Sequence, residues 1–111
     1  MDSDENKALD GILILNNELE YIDYLDGDWL FNFPHSIDFD EDRNMYVSSM
    51  STNIVKVFNS DLKLIAVTSK SEDSGTENGM MNAPMYLRVK NGKLYVYDSG
   101  NDRICVYNAY E

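Results

Sequence analysis

The chain has 111 residues, 20 of them acidic and 9 basic, with one histidine and one cysteine. That length suits one small domain with an ordinary core; a single cysteine rules out an internal disulfide, and no apolar run approaches the roughly 18 residues of a membrane-spanning helix. The net charge of −11 is lopsided, because residues 1–42 hold 13 acids and one base while residues 43–111 hold 7 acids and 8 bases. Neither half offers the basic face on which phosphate binding depends, so nucleic acid is excluded as an expected partner.

Residues 1–9 form an acidic tail without the basic start and apolar stretch of a secretory signal. The default expectation is therefore a cytoplasmic protein without membrane attachment. Ile12–Ile22 reads as strand, turn, strand, and a linker carrying Trp29, Phe31 and Phe33 follows. Strands are then expected at Ile37–Asp40, Met45–Ser48, Ile54–Asn59 and Leu62–Thr68, where Val, Ile, Tyr and Phe dominate. Asn44, Asn59-Ser60-Asp61, Asn91-Gly92 and Ser99-Gly100-Asn101-Asp102 supply turns. The loop Ser69–Asn82 is long and rich in Ser, Gly, Glu and Asn, and such loops are often functional. No segment has the apolar spacing of a helix of about ten residues or more.

The chain repeats itself. Tyr46–Asn59 aligns without a gap on Tyr95–Asn108 at an offset of 49, and Pro34–Phe39 aligns on Pro84–Val89 at an offset of 50. The one-residue difference falls in a hairpin turn, where a length change costs least. Ile12–Ile22 lies over Val55–Ile65 as a third, partial copy. Four short antiparallel strands per repeat is the pattern of a β-propeller blade. The expected fold class is all-β, with four-stranded blades in a partial propeller. The expected divisions are a tail over 1–9, outer strands and linker of one blade over 10–33, a full blade over 34–83, and the three inner strands of another over 84–111.

Pro84-x-x-Leu87-x-Val89, followed by Asn91-Gly92-Lys93-Leu94-Tyr95-Val96-x-Asp98-Ser99-Gly100-Asn101-Asp102-Arg103-Ile104-x-Val106-Tyr107, resembles the NHL repeat. The first copy departs from that pattern, with Ser49, Ser51 and Ile54 where the second has Asp98, Gly100 and Arg103. The resemblance covers roughly residues 12–111. It implies a propeller of around six blades, within a general range of about 4–8, so this chain needs further blades or copies of itself to complete a ring. Some propellers of this type resemble lyases or hydrolases that use metal-bound histidines, and this segment carries no such set.

In the hairpin, Gly100 is expected to supply a backbone angle that a Cβ disfavours, and Asp98 and Arg103 to pair across it as ordinary hairpin chemistry. Asp38, Asp40, Asp42 and Asn44 alternate like oxygen ligands of a calcium loop. Arg43 stands where that loop needs glycine and Ser49 where it needs glutamate, so these side chains are expected to face water, with Asp38, Asp40 and Asp42 only as weak calcium candidates. No other cofactor is expected. A lone His35 is too few ligands for zinc, and Cys105 reads as a small packed hydrophobe. Candidates for a binding face are Trp29, His35, Tyr86 and Asn101. The leading functional expectation is a non-catalytic binding or scaffold segment that recognises protein or a small ligand. The alternative is a piece of a propeller enzyme whose catalytic residues lie elsewhere.

Overall fold

The structure is a computed structural model and describes residues 11–26, 34–69, 73–76 and 80–110. The acidic tail over 1–9 and the linker aromatics Trp29, Phe31 and Phe33 lie outside the described residues. The fold is all-β. Strands β1 (Gly11–Leu15) and β2 (Tyr21–Asp26) form a first sheet. A second contains β3 (Pro34–Phe39), β4 (Met45–Ser49), β5 (Ile54–Phe58) and β6 (Leu64–Val67), and a third contains β7 (Pro84–Lys90), β8 (Lys93–Asp98) and β9 (Arg103–Asn108). Every sheet is an antiparallel meander, and none is closed. The one described helical turn is a 3-10 segment at Ser99–Asn101.

The two long copies of the repeat pair in one register. Tyr46 sits opposite Val57 in the second sheet, as Tyr95 sits opposite Val106 in the third. Ile37 opposes Val47, as Leu87 opposes Val96. The edge strands β3 and β7 are each irregular just after their proline, between Pro34 and Ser36 and between Pro84 and Leu87. Proline lacks a ladder donor and is tolerated at the first residue of an edge strand. β3 accordingly begins at Pro34, three residues earlier than the apolar pattern predicts.

One turn recurs at three hairpins. Asn16 Oδ1 accepts the N–H groups of Glu18 and Glu20, and Asn59 Oδ1 those of Asp61 and Lys63. Asp40 Oδ1 likewise accepts those of Asp42 and Asn44. The residue three positions on is left-handed each time: Leu19 at φ 65°, Arg43 at φ 68° and Leu62 at φ 64°. An Asn or Asp at the head of the turn replaces backbone acceptors that the tight reversal leaves unused. This turn also moves the start of β6 to Leu64, because Leu62 belongs to the reversal. The β7–β8 hairpin uses Asn91 (φ 52°) and Gly92 (φ 76°), both left-handed, as a two-residue loop that matches strand twist requires.

The sheets stack face on face. Ile12 and Ile14 of the first pack on Met45, Val47 and Phe58 of the second. The opposite face of the second sheet, with Tyr46, Val55 and Val57, packs on Leu87, Leu94 and Val96 of the third, joined by Met81. The central sheet is thus covered on both sides, and β4 and β5 are buried throughout. Polar side chains bind the second and third sheets at the β3–β7 edge. Ser36 Oγ and Asp38 Oδ2 accept the Leu87 and Val89 N–H groups at 3.3 and 2.7 Å, and Ser48 Oγ donates to the Met85 carbonyl at 2.7 Å. Unpaired strand-edge donors are costly when dry, and here two side chains of the neighbouring sheet accept them.

Candidate functional site

The Asp98 hairpin is a structural latch. Asp98 is fully buried. Its Oδ1 accepts the Asn82 N–H at 2.6 Å, and its Oδ2 accepts Asn101 Nδ2 and Arg103 Nε, each at 2.8 Å. Arg103 reaches on to the carbonyls of Thr76 and Met80, and Asn101 donates to that of Gly75. The pair therefore fastens the preceding loop as well as the hairpin, which sets it apart from an exposed cross-strand pair worth little. Asn101, a binding-face candidate by sequence, is occupied in this latch.

Gly100 corrects an expectation. Its φ is not left-handed; the left-handed residue of this turn is Asp102 at φ 49°. Glycine is needed here for close approach, since a Cβ would lie 2.5 Å from Asn82 Cγ and 2.7 Å from the Asn82 carbonyl oxygen, which accepts the Gly100 N–H. A backbone atom held by that bond has little room to yield. Gly100→Ala is expected to destabilise the chain by about 1–3 kcal/mol, in the range of overpacked sites. Urea unfolding of the two proteins measures this, and an unchanged midpoint would mean that the 80–83 segment shifts freely.

The outer face of the third sheet carries Tyr86 and Arg88 on β7, Tyr95 and Tyr97 on β8, and Ile104 and Val106 on β9. Tyr95 pairs with Val106 and Tyr97 with Ile104, so the apolar groups form two cross-strand rows. Ile104 is 60% exposed, Val106 55% and Tyr95 41%. Their repeat equivalents Val55, Val57 and Tyr46 are at most 4% exposed. An open groove of about 920 Å³ runs along this face to the β3 edge, where Ser36 and Asp38 join Arg88 and Lys90 in its lining. At one end, the His35 and Tyr86 rings meet edge to face, 5.0 Å apart. Two of the sequence candidates are thus brought together, and Trp29 lies outside the described residues. Such an arrangement can take an apolar or aromatic surface with a charged rim.

The alternating aspartates do not simply face water. Asp40 is half-buried, and its Oδ2 takes the Asn44 side-chain amide and the Tyr46 hydroxyl at 2.9 and 3.1 Å. Asp38 accepts the Phe39 and Val89 N–H groups. Both carboxylates are committed to turn and inter-sheet contacts, while Asp42 is exposed. Among the described residues no three His, Cys, Asp or Glu side chains cluster as metal ligands. Burial raises the Asp40 carboxyl, but hydrogen bonds from Asn44, Tyr46 and the Asp42 N–H outweigh it and hold the group below the usual 3.8. Its contribution to stability is therefore complete above pH 3.8 and lost as pH falls through the lower folded value. Asp40→Asn should narrow the stability gap between pH 7 and pH 3, read by urea unfolding at both; an unchanged gap would show the carboxylate to be inert.

Cys105 is half-buried against the main core. Burial raises its thiol and outweighs the lowering effect of Arg103, which keeps it in the protonated, unreactive form. Burial also raises the Tyr107 hydroxyl, to about 12.

The chain matches no known family model and no curated protein sequence. Among the described residues no helix is long and apolar enough to cross a membrane.

Sequence reasoning missed Ser36, Asp38 and Ser48 as inter-sheet contacts, because each acts on a strand more than 30 residues away. It also missed the free face as a unit. The signal was present: Tyr95, Tyr97, Ile104 and Val106 alternate, and Tyr46, Val55 and Val57 occupy the corresponding places.

Proposed function

We propose that this chain is a non-catalytic binding and scaffold segment built like NHL-type β-propeller blades, and that it recognises protein through the outer face of its third sheet. The observation that carries the reading is the contrast between repeat equivalents: Tyr46, Val55 and Val57 are buried by the next sheet, whereas Tyr95, Ile104 and Val106 face solvent. A sheet face shaped to be covered, with aromatic residues and a cationic rim, has the composition of a protein-binding surface. Exposed apolar clusters of this kind mark interaction sites on soluble proteins. The two-, four- and three-stranded sheets, stacked in chain order, support the view of one complete blade between two partial ones.

The test is a display selection of random peptides against the folded chain, mapped by amide chemical shifts. Selected peptides should perturb Tyr86, Tyr95, Ile104 and Val106, and Ile104→Asp should abolish capture. Peptides that settle on another surface, or none at all, would remove the reading.

A further inference from the structure

We propose that the outer face of the third sheet receives the first sheet of a second copy of this chain, so that copies join head to tail. The inference rests on the reading of that face as a protein-binding surface, and it names the partner.

The stacking rule comes from the molecule itself. Each of its two internal interfaces sets one class of face against another. The face bearing Ile12 and Ile14, or Val55 and Val57, packs on the face bearing Met45, Val47 and Phe58, or Leu94 and Val96. Applied once more, the rule leaves two unmatched faces. The third sheet presents the first class, with Tyr95, Ile104 and Val106. The first sheet presents the second class. Leu13 and Leu15 lie over Lys56 and Phe58 in the repeat alignment, and they pair with Tyr24 and Tyr21. Leu13 is 57% exposed, Leu15 40% and Tyr21 66%, so these three side chains form an apolar, exposed patch, with Tyr24 partly buried beside them.

Charge selects the same pairing. Glu18 and Glu20 are exposed in the turn that joins the two strands of the first sheet. Arg88 and Lys90 line the groove of the third sheet beside one acid, Asp38, whose Oδ2 is taken by the Val89 N–H, and Lys93 lies at the start of β8, so the face is net cationic. Two third-sheet faces would set cations against cations, and two first-sheet faces would set acids against acids. Only the heterologous contact joins opposite signs, and such contacts repeat from copy to copy instead of closing as a two-fold pair.

The experiment uses the whole chain. Ile104→Asp disables the third-sheet face, and Leu13→Asp disables the first-sheet face; both positions are exposed, and circular dichroism with thermal unfolding confirms that each variant folds. In sedimentation velocity the wild type should associate with concentration, and more weakly as salt screens the rims. Each variant alone should associate at least about tenfold more weakly. An equimolar mixture should form a one-to-one complex that grows no further, because one intact face of each kind remains. Arg88→Glu should weaken association while leaving the melt unchanged. Continued association of Leu13→Asp alone, or a mixture that stays monomeric, overturns the proposal. A wild-type monomer that still captures the selected peptides on Ile104 and Tyr95 overturns the second-copy partner and leaves the binding face standing; a monomer that captures none removes both.

Discussion

Asp98→Ala is expected to cost about 3 kcal/mol and to lower the melting temperature by roughly 10–20 °C. The side chain is fully buried and accepts from Asn82, Asn101 and Arg103. Alanine removes the acceptor but leaves the Asn82 N–H and the Asn101 amide in place. An abandoned donor in a dry site costs more than the bond itself contributed. Against a total stability of about 5–15 kcal/mol for a small domain, that loss is a large share. Asp98→Asn keeps one acceptor oxygen and turns an NH2 group toward donors, so it should fall between the two. Urea unfolding measures the midpoints, and amide exchange at Gly75, whose N–H donates to the Met81 carbonyl, reports whether the loop comes loose. A cost below about 1 kcal/mol would mean that water replaces the carboxylate without penalty.

Tyr46→Ala and Tyr95→Ala test the stack from two equivalent positions. Tyr46 is 1% exposed, its hydroxyl donates to Asp40 Oδ2, and it accepts the Tyr110 N–H at 2.8 Å. Its removal opens a cavity between the second and third sheets and is expected to cost about 3–5 kcal/mol, as for other large buried aromatics. Tyr95 occupies the same register on an open face, and its replacement should change chain stability by no more than about 0.5 kcal/mol. Thermal and urea melts at low protein concentration give both numbers. Similar losses at the two positions would contradict the assigned faces, since a one-residue slip would exchange them. Tyr46→Phe, which keeps the ring, isolates the hydroxyl and should cost about 1 kcal/mol.

The strands were legible because their signals are local. Val55-Lys56-Val57 and Leu94-Tyr95-Val96 state strand and register within a few residues, and the 49-residue offset aligns the copies. The Asx turns are partly legible: Asn59 and Asn44 mark reversals, whereas Asp40 reads only as a solvent-facing aspartate and weak calcium candidate, because its turn and a calcium loop begin with the same alternating oxygens. What escaped were contacts between sheets. Ser36 and Asp38 look like ordinary polar positions on an alternating strand, and only stacking brings them to the Leu87 and Val89 N–H groups. Gly100 reads from the sequence as necessary for a turn angle, but its reason lies in Asn82, 18 positions upstream. The exposed face of the third sheet needs both kinds of information, the repeat to relate Tyr95 to Tyr46 and the stack to show that only one of them is covered.

The reversals headed by Asn16, Asp40 and Asn59 bear on how the chain reaches this state. Each closes over five residues through its own side chain, although Leu62 of the third also packs against the first-to-second-sheet core and Asp40 also accepts the Tyr46 hydroxyl. Hairpins of that size form in about 1–10 μs, and among the described residues every strand pair joins neighbours in sequence. The slow event is then expected to be the docking of sheets on one another, with the contacts of Ser36, Asp38 and Ser48 forming late. Substitutions at these three residues should speed unfolding far more than they slow refolding, whereas Asn59→Ala should act chiefly on the refolding rate. A chain that assembles in this order can begin from any of its sheets, and its kinetics will resemble those of a short repeat array more than those of a single cooperative sandwich.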